Sequence, residues 1–305
     1  MLTINSLNKT YSNGVQALKN VSLEVPNGLF GLLGPNGAGK SSLMRTIATL
    51  QEPDSGSIRF DQIDVIENKL ALREQLGYLP QDFGVYPKVS AEELLNHFAV
   101  LKGLTHKAER KEMVEGLLKQ TNLWDARKRK LGTYSGGMRQ RFGIAQALLG
   151  APRLVIVDEP TAGLDPDERN RFLNLLSEIG EQVVVILSTH IVADVTDLCP
   201  RMAIIVQGEV LAQGEPQAAI DLLRNKVWRR QVSKATLPEY QKNFTVLSTR
   251  LVGGLPQINV HADAQPDEGF VQVEAHLEDV YFLQIHSSRI ANAAAPVAVP
   301  ATSAI

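Results

Sequence analysis

The sequence is poor in cysteine and has no long apolar run, and both absences narrow what the protein can be. Cys199 is the single cysteine, which excludes an internal disulfide framework and fits a reducing compartment. No apolar stretch approaches the roughly 20 residues that a membrane-spanning helix needs. If the protein functions at a membrane, a separate chain must therefore provide the membrane-spanning part. Residues 1–5 lack the charged and apolar regions of a signal peptide.

Excess charge is also absent. The formal net charge is −2, so no global basic field favours a nucleic acid, and no nucleic-acid partner is expected. The short basic run at residues 127–130 is better explained as a solvated face. Hydrophobic residues make up 44% of the chain and charged residues 21%, which is ordinary for a globular protein with a sizeable core. A length of 305 residues allows one large domain or two ordinary ones.

The motif that organises the chain is a glycine-rich stretch between an apolar run, residues 29–33, and a segment, 42–47, that can form a helix. It matches the pattern G-x-x-x-x-G-K-[ST] at every fixed position. Glycines let successive backbone N–H groups turn toward a phosphate, and the helix N-terminus adds partial positive charge. Lys40 is predicted to reach the β- and γ-phosphates, and the Ser41 hydroxyl to ligate Mg2+. The predicted nucleotide-binding residues here are Gly34, Pro35, Asn36, Gly37, Ala38, Gly39, Lys40, Ser41 and Ser42.

Two adjacent carboxylates end an apolar run, residues 154–157, that is typical of a central parallel strand. Asp158 lies where a phosphate-loop enzyme places the acid that holds Mg2+. Glu159 is suited to polarise an attacking water as general base. A helix cap is the structural alternative for such a pair, but Pro160 follows immediately. The phosphate-loop motif favours the catalytic interpretation.

A histidine follows the next apolar run, residues 183–187. Ligands of open parallel sheets bind at the carboxyl ends of the strands, so His190 is predicted to lie at the same edge as the two carboxylates. It would contact the γ-phosphate there. The alternative is a histidine with a purely structural role.

Two further helix starts stand out. Ser135, Gly136 and Gly137 open a helical pattern and would form a second anion-binding helix N-terminus; a local interpretation would make Ser135 an N-cap and nothing more. One nucleotide rarely needs two such sites, so the second requires an explanation. Asp165 precedes Pro166 and is a cap candidate for the following helix.

Two residues are ambiguous when taken alone. Tyr11 could stack on an adenine ring or simply pack near a strand end. Gln81 follows a predicted strand and could orient water, bind Mg2+, or have no special role.

The pattern along the chain predicts its segments. Helices are expected between residues 90 and 120, where Ser90 and Glu93 form a capping box, and a hairpin over 203–213 should turn at Gly208. From about residue 215 the periodicity changes to a small α+β domain, with helices near 216–224 and 277–284. Its predicted strands cover 227–232, 245–252, 257–261 and 270–275. The predicted domains are 1–214 and 215–286, and residues 287–305 are predicted to be disordered.

Together these residues resemble the ATPase subunit of an ABC transporter, over about residues 2–214. The stretch Ser-Gly-Gly-Met-Arg-Gln-Arg at 135–141 is similar to the ABC signature and is the most specific part of the likeness. The motifs of the family also occur here in the usual order along the chain. By this resemblance Tyr11 is the aromatic residue for the adenine and Gln81 is the lid glutamine. Asp165 lies in the family's loop after the carboxylates, and His190 is the switch histidine. Two departures are small: a tyrosine stands at 134 where leucine is usual, and serines at 41–42 replace a threonine pair. A serine hydroxyl can still ligate Mg2+.

The resemblance implies an α/β fold. Its phosphate-loop NTPase core would have a mainly parallel sheet, an antiparallel β subdomain and a helical subdomain, followed here by the small C-terminal α+β domain. It implies ATP hydrolysis with ATP and Mg2+, and two subunits packed head to tail. Ser135, Gly136 and Gly137 of each subunit would then cap the nucleotide of the other, which explains the second anion site. The second subunit would be a copy of this chain or a close relative.

The resemblance also implies a partner in the membrane. Residues 277–282 look like the C-terminal motif of ATPases paired with export-type permeases for drugs, lipids or polysaccharides. The chain is therefore expected to be cytoplasmic and peripheral on the inner face of the cell membrane, bound through a separate permease. The alternative is a soluble ABC ATPase that acts on ribosomes or DNA. A single set of motifs and the lack of a long insertion argue against that alternative, and an intact catalytic set argues against a purely structural module.

Overall fold

The computed structural model describes residues 1–84 and 86–294, with side chains as far as residue 288. The chain forms two compact units, Met1–Gly214 and Glu215–Ile305. In chain order the first unit contains β1 (Leu2–Thr10), β2 (Gln16–Val25), β3 (Gly28–Leu33), α1 (Lys40–Ile47), β4 (Ser55–Phe60), β5 (Ile63–Asp64), α2 (Lys69–Glu74), β6 (Leu76–Leu79), α3 (Ala91–Leu101), α4 (Lys107–Gln120), a short 3-10 helix (Leu131–Thr133), α5 (Gly136–Ala147), β7 (Leu154–Asp158), α6 (Pro166–Gly180), β8 (Val184–Thr189), α7 (Val192–Leu198), β9 (Arg201–Val206) and β10 (Glu209–Gly214).

The larger sheet has the order β10-β9-β3-β8-β7-β6. All neighbouring pairs are parallel except β9 with β10, which form the predicted hairpin. Every residue of β7 and β8 is buried, as expected for central strands covered on both faces. Because β3, β7 and β8 run in the same direction, their carboxyl ends lie at one edge of the sheet. The phosphate loop, the two carboxylates and His190 all follow at that edge.

The smaller sheet is antiparallel, with the order β2-β1-β4-β5. Leu2, Ile4 and Leu7 of β1 are buried in the main apolar core, together with alternate residues of β2. Gly14 takes the left-handed φ of +81° in the turn between the two strands, as the Asn13-Gly14 pair predicts. The expected α/β fold with a mainly parallel sheet and an antiparallel subdomain is confirmed.

Helices α3 and α4 form the expected helical part. Ser90 Oγ accepts a hydrogen bond from the backbone N–H of Glu93 (3.3 Å), and Glu93 Oε2 accepts one from the backbone N–H of Ser90 (3.0 Å). The predicted capping box therefore sets the start of α3. Helix α2, which the sequence pattern did not indicate, is only six residues long.

The second unit contains α8 (Pro216–Asp221), β11 (Val227–Gln231), α9 (Leu237–Asn243), β12 (Thr245–Val252), β13 (Leu255–His261), β14 (Val271–Gln272) and α10 (Leu277–Ala294). Its sheet is antiparallel, with the order β12-β13-β11-β14. The core of this unit is formed by Val232, Ile258, Val260 and Phe270.

The structure of this unit differs from the prediction in four respects. Helix α9 was missed. The last strand covers two residues instead of 270–275, because the following residues lead into α10, where Asp279 Oδ2 accepts a hydrogen bond from the backbone N–H of His276 (3.0 Å). The final helix ends at Ala294, ten residues beyond the predicted end, since alanines extend it. Residues 287–294, predicted to be disordered, therefore belong to this helix, and the rest of that predicted tail lies outside the described residues. Among the described helices, none combines the length and apolarity that crossing a membrane requires.

Candidate functional site

The glycine-rich loop joins β3 to α1 in a shape that only glycine permits at two positions. Gly39, the residue before α1, has a φ of +104°. A Cβ atom there would lie 2.4 Å from the carbonyl oxygen of Ala17, and one at Gly34 would lie 2.3 Å from that of Ile205. No side chain caps the start of α1, so its first N–H groups form the kind of helix N-terminus that binds anions.

Lys40 is folded over this loop. Its side chain is only 4% exposed, and its ammonium donates to the carbonyl oxygens of Gly34 (2.7 Å) and Pro35 (3.2 Å). The same Nζ lies 3.2 Å from Glu159 Oε1. The lysine charge is thus held at the centre of the loop and beside the predicted base.

Glu159 connects the loop to the predicted switch residue. Its φ of +47° is left-handed, and its backbone N–H donates to the carbonyl oxygen of Ser188 (3.0 Å), at the end of β8. While Oε1 faces Lys40, Oε2 lies 3.3 Å from Nδ1 of His190. The structure therefore brings Lys40, Glu159 and His190 together, as the parallel strand order predicts.

Asp158 is the second carboxylate of the pair, and its environment is different. The residue is 3% exposed, and its Oδ1 accepts no hydrogen bond from the described residues. A buried anionic oxygen without donors is costly unless a cation or ordered water reaches it. Burial raises the pKa of the nearby Tyr78 hydroxyl, and the charge of Asp158 raises it further. Asp158 therefore fits a cation ligand.

A cavity of about 650 Å³ opens over the loop. It brings together Tyr11, most of the loop, Gln81 and Glu159. Tyr11 is held by hydrogen bonds of its hydroxyl to Ser42 Oγ (2.9 Å) and Gln51 Oε1 (3.1 Å). The residues that line the cavity are Tyr11, Val15, Gln16, Ala17, Lys19, Asn36, Gly37, Ala38, Gly39, Lys40, Ser41, Ser42, Gln81, Glu159, Gln207 and Gly208.

Part of this lining was missed by the sequence analysis. The hairpin turn at Gln207 and Gly208 closes one side of the loop, since the Gly208 N–H donates to the carbonyl oxygen of Ala38 (2.8 Å). Its own carbonyl accepts from the N–H of Lys19 (2.8 Å). Gly208 was predicted only as a turn, because no local signal shows where a hairpin packs.

The signature serine and Asp165 are N-caps. Ser135 Oγ accepts a hydrogen bond from the N–H of Met138 (3.1 Å) at the start of α5, and Asp165 Oδ1 accepts one from that of Glu168 (2.9 Å) at the start of α6. Among the described residues, the lining of the loop cavity does not include Ser135, Gly136, Gly137 or Asp165. Within one chain, the signature and the phosphate loop therefore do not share this cavity.

Comparison with known proteins agrees with this geometry. The ABC transporter family model matches residues 18–162. The chain is 34% identical over 303 residues to the ABC transporter ATP-binding protein YxlF of Bacillus subtilis, covering 94% of this chain and 100% of that protein. It is 37% identical over 216 residues to the linearmycin resistance ATP-binding protein LnrL of Bacillus subtilis, covering 70% of this chain and 69% of that protein.

Solved structures show the same relationship. The ATP-binding cassette MJ0796, solved as a dimer in a post-hydrolysis state with ADP and Pi, matches with a TM-score of 0.64 and 28% sequence identity. The match covers 70% of this chain and 98% of that cassette. The chain belongs to the ATP-binding proteins of ABC transporters, a family of ATPases.

Proposed function

We propose that this chain is the ATP-hydrolysing subunit of a transporter whose membrane-spanning part is a separate permease. The observation that carries the proposal is the position of Glu159, 3.2 Å from Lys40 Nζ and 3.3 Å from His190 Nδ1. A carboxylate beside the loop lysine is placed to act on a water molecule near the terminal phosphate of a bound nucleotide.

ATP would bind through the loop and its surroundings. Backbone N–H groups of residues 36–42 and the N-terminus of α1 suit the phosphates. The ammonium of Lys40, held by the carbonyls of Gly34 and Pro35, is the cation that we assign to the β- and γ-phosphates. Tyr11 lies at the cavity wall, where we assign it to the adenine ring.

Three residues are assigned to Mg2+: Ser41, Gln81 and Asp158. The buried Asp158 oxygen that accepts no hydrogen bond from the described residues supports this assignment. No group of three or more His, Cys, Asp or Glu side chains in the described part of the chain could hold a metal ion by itself, so phosphate oxygens would complete the coordination. When bound, Mg2+ would neutralise charge that develops on the phosphate oxygens.

The hydrolytic step is assigned to Glu159. Its carboxylate would take a proton from the attacking water while the water oxygen bonds to the γ-phosphorus. The bond between the β-γ bridging oxygen and the γ-phosphorus would break in the same step, to give ADP and phosphate. His190 faces Glu159 through Nδ1. Its Nε2 is the ring nitrogen that we assign to a γ-phosphate oxygen.

The second anion-binding helix end is assigned to a second ATPase subunit. Ser135, Gly136 and Gly137 of one subunit would cap the γ-phosphate at Lys40 of the other, with Asp165 close to the shared surface. Their absence from the described lining of the loop cavity within one chain supports this arrangement. The cassette MJ0796 was solved as a dimer, which supports it further. The partner would be a copy of this chain or a close relative.

Mixed subunits test the shared site in the homodimer case. Lys40→Ala and Ser135→Arg subunits should each be inactive alone. In a mixed dimer, one composite site carries both changes and the other carries neither, so mixing should restore part of the ATPase activity. Specific activity that stays constant on dilution to the monomer range would rule the shared site out.

Export is the direction we propose, of a drug, lipid, polysaccharide or similar substrate. A relative with 37% identity is named for linearmycin resistance, and residues 277–282 carry the motif described above. The protein would be held at the cytoplasmic face of the membrane by binding to its permease. An apolar groove of about 360 Å³ in the first unit, flanked by Leu50 and Leu101, which are 55% and 69% exposed, is the surface we assign to permease contact.

Co-purification tests the transporter assignment. The tagged chain, isolated from detergent-solubilised membranes of its own cells, should carry a protein with several membrane spans. Leu101→Asp should reduce the yield of that protein without lowering the melting temperature, whereas Leu222→Asp, an exposed leucine in the second unit, should not. Recovery of ribosomes or DNA-repair proteins in place of a membrane protein would reject the transporter assignment.

A further inference from the structure

Asp194, in the first turn of α7, is a fully buried carboxylate outside the cavity lining. Its Oδ1 accepts hydrogen bonds from the Arg169 guanidinium, the one from Nε at 2.8 Å. Its Oδ2 accepts from Thr161 Oγ1 (3.0 Å) and, at greater length, from Thr189 Oγ1 (3.4 Å). Burying a carboxylate is costly, and the cost is offset only when donors and an opposite charge surround it. Asp194 has both.

The two threonines adjoin the proposed reacting groups. Thr161 lies two residues after Glu159, in the turn that follows β7. Thr189 directly precedes His190, and its Oγ1 also accepts a hydrogen bond from the N–H of Ile191 (2.9 Å). The Thr189 hydroxyl thus connects the backbone on the far side of His190, at Ile191, to the carboxylate of Asp194.

The guanidinium adds a third segment. Arg169 lies in the first turns of α6, four residues after the capping residue Asp165. Three chain segments, which carry Glu159, Asp165 and His190, therefore converge on a single carboxylate. A fully satisfied buried polar network rigidifies the groups that share it.

The contact that this network would control is marginal in length. Glu159 Oε2 and His190 Nδ1 are 3.3 Å apart, near the long end of a hydrogen bond. A displacement of either turn by about 1 Å would break that contact. Misplacement on this scale, caused by a change away from the chemistry, can cost on the order of 10²-fold in rate.

We propose that Asp194 is a positioning residue for ATP hydrolysis. Through Thr161 and Thr189 it fixes Glu159 relative to His190, and through Arg169 it links both to the start of α6. The proposal rests on the catalytic roles proposed above for Glu159 and His190.

Three variants weaken the network at different places: Thr161→Val, Arg169→Gln and Asp194→Asn. The first is nearly isosteric and leaves the charge pair intact, so it tests the proposal even if Asp194→Asn fails to fold. Matched controls are Thr196→Val, whose hydroxyl donates to a carbonyl of its own helix, at Val192 (3.1 Å), and Arg171→Gln, an exposed arginine of α6 that pairs with Glu168 (3.6 Å).

Asp194→Asn is expected to lower kcat on the order of 10²-fold, and Thr161→Val, which removes one hydrogen bond, by up to about tenfold. KM and the Kd for ATP should stay within about twofold, since the phosphate loop is not part of the network. A spectroscopic readout separates positioning from general stability. The ring ¹⁵N resonances of His190, identified by their loss in His190→Ala, should shift in Thr161→Val and not in Thr196→Val.

Normal kcat in both Thr161→Val and Asp194→Asn would overturn the proposal. So would a loss of kcat that merely follows the loss of folded protein, with His190 resonances unmoved. Glu159→Gln is measured alongside. If Glu159→Gln is inactive while the network variants are normal, only the positioning role fails; if Glu159→Gln turns over normally, the proposed base fails and the positioning role with it.

Discussion

Replacing Glu159 by glutamine separates nucleotide binding from hydrolysis. The amide has nearly the same shape as the carboxylate but cannot take a proton from water or form an ion pair with Lys40. Loss of a positioned general base costs about 10²- to 10⁴-fold in rate, so kcat for ATP should fall by on the order of 10²-fold or more. ATP binding should persist, because the loop and Lys40 are unchanged.

The structure also limits the cost to stability. Lys40 is 4% exposed and loses the Glu159 carboxylate, at 3.2 Å, but it keeps the carbonyls of Gly34 and Pro35. A buried donor that loses one partner costs about 1–3 kcal/mol. We expect a value at the low end of this range. The same change frees Lys40 for phosphate, so the Kd for ATP should stay equal or fall by up to about tenfold, or about 1.4 kcal/mol.

The assay combines steady-state phosphate release, fluorescent-ATP titration and thermal unfolding. Glu178→Gln, an exposed glutamate on α6, is the matched control and should behave as the parent protein. Turnover within a few-fold of the parent in Glu159→Gln would refute the assignment of the base. A large rise in the Kd for ATP would instead place Glu159 in nucleotide binding.

Three further changes have expected outcomes. Gly39→Ala should abolish ATP binding and lower the melting temperature, because the new Cβ would lie 2.4 Å from the Ala17 carbonyl oxygen at a φ of +104°. The control is Gly84→Ala, where the new Cβ would meet no described heavy atom within 4 Å beyond its chain neighbours. Lys40→Ala should raise the Kd for ATP in the same titration. Burial raises the pKa of the Cys199 thiol to about 12, so in the folded protein the thiol stays protonated below that pH and should react with a thiol reagent at pH 8 only after denaturation. Rapid reaction of native protein would contradict this burial.

Local chemistry explains what the sequence could predict. The capping box at Ser90 is confirmed because its two hydrogen bonds join residues three apart. The meeting of Glu159 and His190 could be predicted because each follows a fully apolar run, and such runs become parallel neighbours. The parallel order then brings their carboxyl ends to one edge.

What the sequence did not show depends on distant contacts. Thr161 and Asp194 are 33 residues apart, and nothing near either residue indicates the other. The packing of the Gly208 turn against the phosphate loop is equally nonlocal. Helix α9 is a different case: Leu237, Tyr240 and Phe244 follow helical spacing, and all three pack on the core of the second unit. The sequence does contain a local signal for this helix.

The balance of charge at the carboxyl ends of the parallel strands bears on both the Mg2+ assignment and the second-subunit assignment. Asp158 and Glu159 are both nearly buried, and the buried Lys40 pairs with Glu159 at 3.2 Å, so these three side chains together carry more negative than positive charge. A nucleotide triphosphate adds further negative charge at the same place. The N-terminus of α1 offsets only about half an elementary charge. Stable binding of the triphosphate therefore requires positive charge from groups other than these side chains and α1. One source that fits is a divalent cation at the Asp158 oxygen that accepts no hydrogen bond from the described residues. The other is the N-terminus of α5 from a second subunit. The same imbalance predicts that chelation of Mg2+ steeply weakens ATP binding to the parent protein. Chelation should weaken ATP binding to Asp158→Asn less, because this change removes the Mg2+ ligand and also part of the repulsion between the protein and the phosphates.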